Sequence, residues 1–197
     1  MKKFVVLFLF LSSICWGCDD SLELLISPEE IEQRMVEIGA KIDADYQDRE
    51  ITLLMVMKGA VCTAADLMRH IHVPVKIEYM KASSYGQNGT HRGELKLTGV
   101  EHLDFTGKDI LVVDDIFDTG NTMTRIVEEL EKRNPQSVKT AVLLVKNVSR
   151  TTDYRPDYVF FDIENRFVIG YGLDYKEYYR ELPGVYAFIN DTPPSEE

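Results

Sequence analysis

Hydrophobic and polar positions change period several times along the chain, and each change marks an element. Ile31, Met35, Ile38 and Ile42 recur at helical spacing and share one face. Ser27 precedes them, Pro28 lies in the first turn and Glu30 follows three residues after Ser27, so a helix opening on a capping box is predicted. Residues 51–57 form a continuous apolar run, the pattern of a strand buried on both faces. The turn Lys58-Gly59-Ala60 then leads into a predicted helix through Ala64, Leu67 and Ile71. Val73, Val75, Ile77 and Tyr79 alternate with polar residues as a second strand does. Residues 83–93 are polar and glycine-rich, a loop, and a short strand is predicted over residues 94–98. Residues 110–113 form another buried strand, ending in two aspartates. Met123, Ile126, Val127 and Leu130 mark an amphipathic helix that stops at Asn134-Pro135. Strands are predicted over residues 141–145 and 158–163, and another over residues 167–173.

Strands alternating with helices predict an α/β fold, a mostly parallel central sheet flanked by helices on both faces. In such sheets ligands bind at the carboxyl ends of the strands, which directs attention to the residues just after each apolar run. Length and composition agree with one domain: 197 residues, 45% of them hydrophobic, and no Pro-rich or Gly/Ser-rich linker. The net charge of -11 disfavours DNA, RNA or anionic lipid as generic partners. Phosphate, if bound, must be held locally by backbone N–H groups, single Lys or Arg side chains, or a metal.

Residues 1–20 read as a signal-like hydrophobic extension: Lys2 and Lys3, an apolar run from Phe4 to Leu11, and Cys15 and Cys18. The run is shorter than the ~20 residues of a membrane span. Residues 21–190 are assigned to the folded domain, and residues 191–197 to a disordered acidic tail. Cys62 is predicted to be core rather than reactive, and the four histidines lack metal-ligand spacing.

The most specific stretch is residues 110–122, a buried strand delivering Asp114 and Asp115, then Asp118-Thr119-Gly120-Asn121-Thr122 opening a helix. Successive N–H groups in such a turn form an anion nest, aided by the positive end of the helix. Gly120 lets the backbone approach a phosphate, and Thr119 and Thr122 add hydroxyls. Two carboxylates beside a phosphate cradle suit sugar hydroxyls or a divalent cation.

This stretch resembles the phosphoribosyl pyrophosphate (PRPP) signature of type I phosphoribosyltransferases. Lys58-Gly59, Ser84-Tyr85, residues 144–146 and residues 167–180 fall in the order found in the hypoxanthine-guanine, or 6-oxopurine, branch. The resemblance covers roughly residues 24–189. It implies the type I phosphoribosyltransferase fold, with a small hood lobe built from the N- and C-terminal segments. It also implies purine salvage: transfer of the 5-phosphoribosyl group from PRPP to hypoxanthine or guanine, giving IMP or GMP plus pyrophosphate, with Mg²⁺ as cofactor.

By the same resemblance, Asp114 and Asp115 bind the ribose hydroxyls directly or through the metal, and Asp118 to Thr122 hold the 5′-phosphate. The family more often has Glu where this chain has Asp114, which is shorter by one methylene. Asp118 matches the general base that takes the proton from purine N7. Lys146 matches the donor to the 6-oxo group, which a lysine, having no acceptor, favours over a 6-amino group. Phe167 matches the aromatic that stacks on the purine, although a strand phenylalanine is more commonly core. Val168 matches the residue whose carbonyl meets the base edge. Asp174 matches a metal-contacting aspartate beside the purine, and Arg180 a pyrophosphate-binding arginine. Lys58-Gly59 matches the pyrophosphate loop, where an unusual peptide conformation is typical, and Ser84-Tyr85 the lid.

Two other readings differ in what they require. A xanthine-preferring enzyme would use the same machinery, and a non-catalytic PRPP-binding RNA regulator would want a basic surface. PRPP is an intracellular metabolite, which implies a cytoplasmic protein; the signal-like extension keeps an exported ligand-binding protein as the lesser alternative. Family members form homodimers or homotetramers.

Overall fold

A computed structural model of the chain describes residues 21–84 and 95–189. The helix opening at Ser27 forms as α1 (Pro28–Asp45), and both halves of its capping box are made. The Glu30 N–H donates to Ser27 Oγ at 3.2 Å, and the Ser27 N–H donates to the Glu30 carboxylate at 2.8 Å. Its buried face is the predicted one, Ile31, Met35, Ile38 and Ile42, joined by Gly39, whose backbone packs against that of His70.

The central sheet has six strands in the order β4-β3-β2-β5-β6-β7. These are β2 (Ile51–Val56), β3 (Val75–Ser84), β4 (Leu95–Thr98), β5 (Asp109–Phe117), β6 (Ser137–Lys146) and β7 (Tyr158–Ile163). All neighbours are parallel except β3 and β4, a hairpin pair. β5 illustrates why the central strands read as unbroken apolar runs. Leu111 and Val113 enter the core beneath α1 and α2 (Val61–Leu67), while Ile110 and Val112 enter the core under α3 (Asn121–Glu131). The α3 face buries Met123, Ile126, Val127 and Leu130 as predicted. Each large aliphatic side chain so buried contributes about 1.5–3 kcal/mol.

A second sheet, in the order β1-β9-β8, is entirely antiparallel. It joins β1 (Leu22–Ile26), β9 (Val185–Phe188) and β8 (Val168–Ile169), so the hood lobe is built from the two ends of the domain as expected.

Four local expectations are corrected. The second helix ends at Leu67 rather than reaching Ile71, which is nonetheless buried. β5 does not end at its two aspartates but pairs with β6 as far as Phe117, which leaves only residues 118–120 between strand and helix. The strand expected over residues 167–173 is two residues long, because Gly170, Tyr171 and Gly172 all take positive φ (+90, +48 and +98) and turn the chain. The alternation in β3 does not bury its apolar side: Ile77 and Tyr79 are 48% and 53% exposed. Ser84 ends β3, whereas Tyr85, the signal-like extension (1–20) and the acidic tail (191–197) lie outside the described residues. No helix among the described residues is long and apolar enough to cross a membrane.

Candidate active site

At its carboxyl end β5 carries Asp114, buried, beside the half-buried Asp115. The Asp115 N–H donates to Asp114 Oδ1 at 3.0 Å. Burial pushes both carboxyl groups above the ordinary range, Asp114 far above it, and the charge of Asp115 adds to the effect on Asp114. The positive charge of Arg180 opposes the shift at Asp115. A buried carboxylate pair of this kind is stabilised by hydroxyl donors or by a cation.

The turn that follows opens α3 with a left-handed glycine. Gly120 is the N-cap of α3 at φ +89, and a side chain there would overlap Thr152 and the Phe117 ring. The Thr151 N–H donates to the Thr119 carbonyl at 3.1 Å, and Thr124 Oγ1 bonds the Gly120 carbonyl at 2.9 Å and Thr152 Oγ1 at 3.0 Å. Residues 151–152 therefore brace the turn from behind, a role without any signal in the sequence. The first turn of α3 has no acidic residue and no side-chain cap. The N–H groups that every helix start leaves without an intrahelical partner are thus available to an anion. Asp118 and Thr122 are exposed at the mouth of this turn.

On the other side of the aspartates lies the Lys58-Gly59 loop, where the Met57–Lys58 peptide is cis. Gly59 packs directly on the Asp115 carboxylate, and Gly172 packs on the Gly59 carbonyl. Arg180 Nη1 donates to the Gly172 carbonyl at 2.7 Å, its Nη2 pairs with Asp174 at 2.7 Å, and its Nε is buried without an acceptor. Lys58 Nζ donates to the Glu177 carboxylate at 2.7 Å, and Glu177 also stands 3.4 Å from Arg180. The hydrogen bond from Lys58, with Arg180 beside it, holds the Glu177 carboxyl below its usual range. Glu177 was not singled out in the sequence, where it reads as one more surface charge.

Lys146 ends β6, and the pairing of Phe117 with Val145 brings it level with Asp118 across the sheet edge. Phe167 is 40% exposed, so it is not core. The ring stacks on Phe188 (centroids 6.2 Å apart, 27° between planes) and meets Tyr175 edge-on at 5.8 Å. Val168, buried in β8, pairs with Ala187.

A sequence model described as "Phosphoribosyl transferase domain" matches residues 24–176. The chain belongs to the phosphoribosyltransferase family. Within it, the chain is similar to the hypoxanthine-guanine phosphoribosyltransferase of Bacillus subtilis, with 40% identity over 164 residues, 83% of this chain and 91% of the relative. The enzyme of that name from Dictyostelium discoideum is also 40% identical, covering 83% of this chain and 93% of its own. Among solved structures, a Bacillus anthracis hypoxanthine-guanine phosphoribosyltransferase with HEPES in its active site has a TM-score of 0.80 and 36% identity. It covers 85% of this chain and 98% of its own.

The structure thus brings together the 118–120 turn and the Asp114–Asp115 pair at the end of β5, with Gly59 against Asp115 and Gly172 and Arg180 beside Gly59, while Lys146 ends the neighbouring β6 and Phe167 and Val168 belong to the second sheet. Among the described residues no set of three or more His, Cys, Asp or Glu side chains converges to hold a metal. The donors present still fit a hard cation of magnesium's habit. Buried Asp114 and half-buried Asp115 are carboxylates that a cation would neutralise, and Mg²⁺ takes its remaining ligands from waters and substrate phosphates. Asp174, the third expected metal residue, is engaged by Arg180 and by the Glu177 N–H.

Proposed function

We propose that the chain transfers the 5-phosphoribosyl group of PRPP to hypoxanthine or guanine, releasing pyrophosphate and giving IMP or GMP. The observation that carries this reading is the continuity of the Asp114–Asp115 pair with the left-handed Gly120 turn at the start of α3. One short segment presents ribose-hydroxyl acceptors and a phosphate cradle in the order that a ribose 5-phosphate requires. The names of the relatives support the choice of base.

In this reading the 5′-phosphate sits on the N–H groups of residues 118–122, and Asp114 and Asp115 receive the ribose hydroxyls. The diphosphate lies against Lys58, Gly59 and Arg180. Purine N9 forms its bond to C1 of the ribose as the bond from C1 to the diphosphate oxygen breaks, and the electron pair leaves on pyrophosphate. Asp118 takes the N7 proton, a contribution of about 10²–10⁴-fold for general base catalysis. Lys146 donates to the 6-oxo group, the partly exposed Phe167 ring stacks on the purine, and the Val168 carbonyl meets the base edge. Magnesium, held by Asp114, Asp115 or Asp174 together with substrate oxygens, would neutralise charge on the diphosphate.

The domain spans residues 21–190 in this proposal, the protein is cytoplasmic, and Ser84-Tyr85 belongs to a closing lid. A homodimer or homotetramer is also part of it, supported by the apolar surface formed by Val61, Ile77 and Tyr79.

The test is nucleotide formation from PRPP and Mg²⁺ with hypoxanthine, guanine, xanthine and adenine in turn. Turnover with hypoxanthine or guanine, lost on chelation and greatly reduced in Asp118→Ala, is the expected result. Faster turnover with xanthine would reassign the base. PRPP binding without nucleotide from any base would overturn the enzymatic reading in favour of a regulator.

A further inference from the structure

Tyr171 is the one large side chain in the left-handed run Gly170-Tyr171-Gly172, and its φ of +48 is a conformation that a bulky residue keeps only when its surroundings enforce it. The enforcing contacts are specific. The Tyr171 N–H donates to the Leu182 carbonyl at 2.8 Å, the ring is buried, and the hydroxyl donates to Asp66 Oδ2 at 2.7 Å. Asp66 lies in the last turn of α2, and its other oxygen accepts from Arg69. Burial, then the bond to Asp66, pushes the Tyr171 hydroxyl far above its usual range, so it remains a donor throughout neutral pH.

The geometry joins two segments that are distant in sequence. α2 starts directly after Lys58-Gly59-Ala60, so whatever fixes Asp66 fixes the far end of a rigid rod whose near end is the Lys58-Gly59 loop. Gly172, the residue after Tyr171, packs on the Gly59 carbonyl. The same glycine holds Arg180 through both its backbone groups: the Gly172 N–H donates to the Arg180 carbonyl at 2.9 Å, and the Gly172 carbonyl accepts from Arg180 Nη1 at 2.7 Å. The turn at 170–172 therefore touches the loop at Gly59, the helix behind the loop at Asp66, and the arginine opposite the loop.

We propose that Tyr171 and Asp66 are paired positioning residues, whose hydroxyl–carboxylate bond sets the spacing between the Lys58-Gly59 loop and Arg180 and thereby the affinity for a diphosphate. Neither residue touches substrate. The proposal rests on the reading that this loop and Arg180 receive the diphosphate of PRPP. A bond to a charged group contributes more than a neutral one, and displacement of about 1 Å at a reacting group is felt as roughly a hundredfold change. Loss of the hydroxyl alone is expected to weaken the diphosphate contacts by about tenfold, within the range such bonds span.

The experiment compares Tyr171→Phe, Asp66→Ala, Asp66→Asn and the double variant Tyr171→Phe/Asp66→Ala. Each is measured for the Kd of PRPP and of pyrophosphate with Mg²⁺ present, for the KM of PRPP and of the purine, and for Tm. Tyr171→Phe and Asp66→Ala should each raise the PRPP and pyrophosphate constants about tenfold and leave the purine KM within about twofold. Asp66→Asn, which keeps an acceptor, should recover most of the loss, and the double variant should be no worse than either single one. Unchanged PRPP and pyrophosphate constants, or parallel weakening for purine and PRPP, would overturn the proposal. If the parent protein binds PRPP and pyrophosphate but makes no nucleotide, the reading of the activity fails while the two Kd values still judge the pair. If it binds neither, both fall.

Discussion

Gly59 lies so close against the Asp115 carboxylate that a methyl group on its Cα would occupy the space of the carboxylate oxygens. The neighbour cannot yield cheaply, because Asp115 is held in a strand end and is itself half-buried. Gly59→Ala is therefore expected to displace either the loop or the carboxylate. A shift of about 1 Å at such a position is felt as roughly 10²-fold, so kcat/KM for PRPP should fall by about that factor. Steady-state kinetics beside a thermal melt check this; a near-native rate would show that the loop relaxes without cost.

Asp114 and Asp115 make the site a source of instability in the absence of ligand. Both carboxyl groups have folded-state pKa values above the ordinary 3.8. The folded state thus binds more protons than the unfolded state, and this pair's contribution to stability falls as pH rises from the ordinary carboxylate range through the raised values. Asp114→Asn removes the buried charge and keeps an acceptor for the Asp115 N–H. It should raise the Tm of the ligand-free protein at pH 7, by roughly 2–4 °C for each kcal/mol relieved, and the gain should shrink towards pH 4. PRPP turnover should be lost in the same variant. Melts across pH 4–8 test the sign, and a Tm lowered at pH 7 would contradict it.

Gly120→Ala tests the phosphate turn. The position combines φ +89 with a site already filled by Thr152 and the Phe117 ring. Backbone strain of this kind is on the order of 1–3 kcal/mol, and the overlap adds to it. Expected are a lower Tm and weak PRPP binding with the purine KM little changed, measurable by calorimetry and kinetics. Retained PRPP affinity would place the 5′-phosphate elsewhere.

Ser27→Ala probes stability away from the chemistry. It removes the acceptor for the Glu30 N–H at the start of α1, at the junction with β1. Such a cap contributes about 0.5–2 kcal/mol. The variant should melt a few degrees lower with unchanged kinetic constants, as differential scanning calorimetry beside the standard assay would show.

The parts of the molecule legible in the sequence are those fixed by local rules. Ser27, Pro28 and Glu30 announce a helix start because all their bonds fall within one turn. Gly120 declares its turn because few residues other than glycine adopt that φ, and Asp114-Asp115 stand out because carboxylates at the end of an apolar strand need a reason. What remained hidden is non-local. The β1–β9 pair, foreshadowed only by the family resemblance, joins residues more than 150 positions apart, such as Leu22 and Phe188, and neither segment has a strong period of its own. Residues 167–173 read as a strand because Tyr171 and Leu173 are apolar, yet Gly170 and Gly172 turn the chain so that Gly172 meets Gly59. Ile77 and Tyr79 show the limit of alternation, which tells that a strand has two faces but not which one is covered.

The hood has a consequence for the order in which the protein is made. β9 is the strand that pairs with both β1 and β8, and it is the last of the domain to leave the ribosome. A nascent chain that has emerged as far as β7 already contains every strand of the parallel sheet, with the phosphate turn and the aspartate pair in it. Val168 has no strand partner until residues 185–188 arrive. The sheet that carries Asp114, Asp115 and the 118–120 turn can close first, and the β1-β9-β8 sheet that holds Val168 comes last.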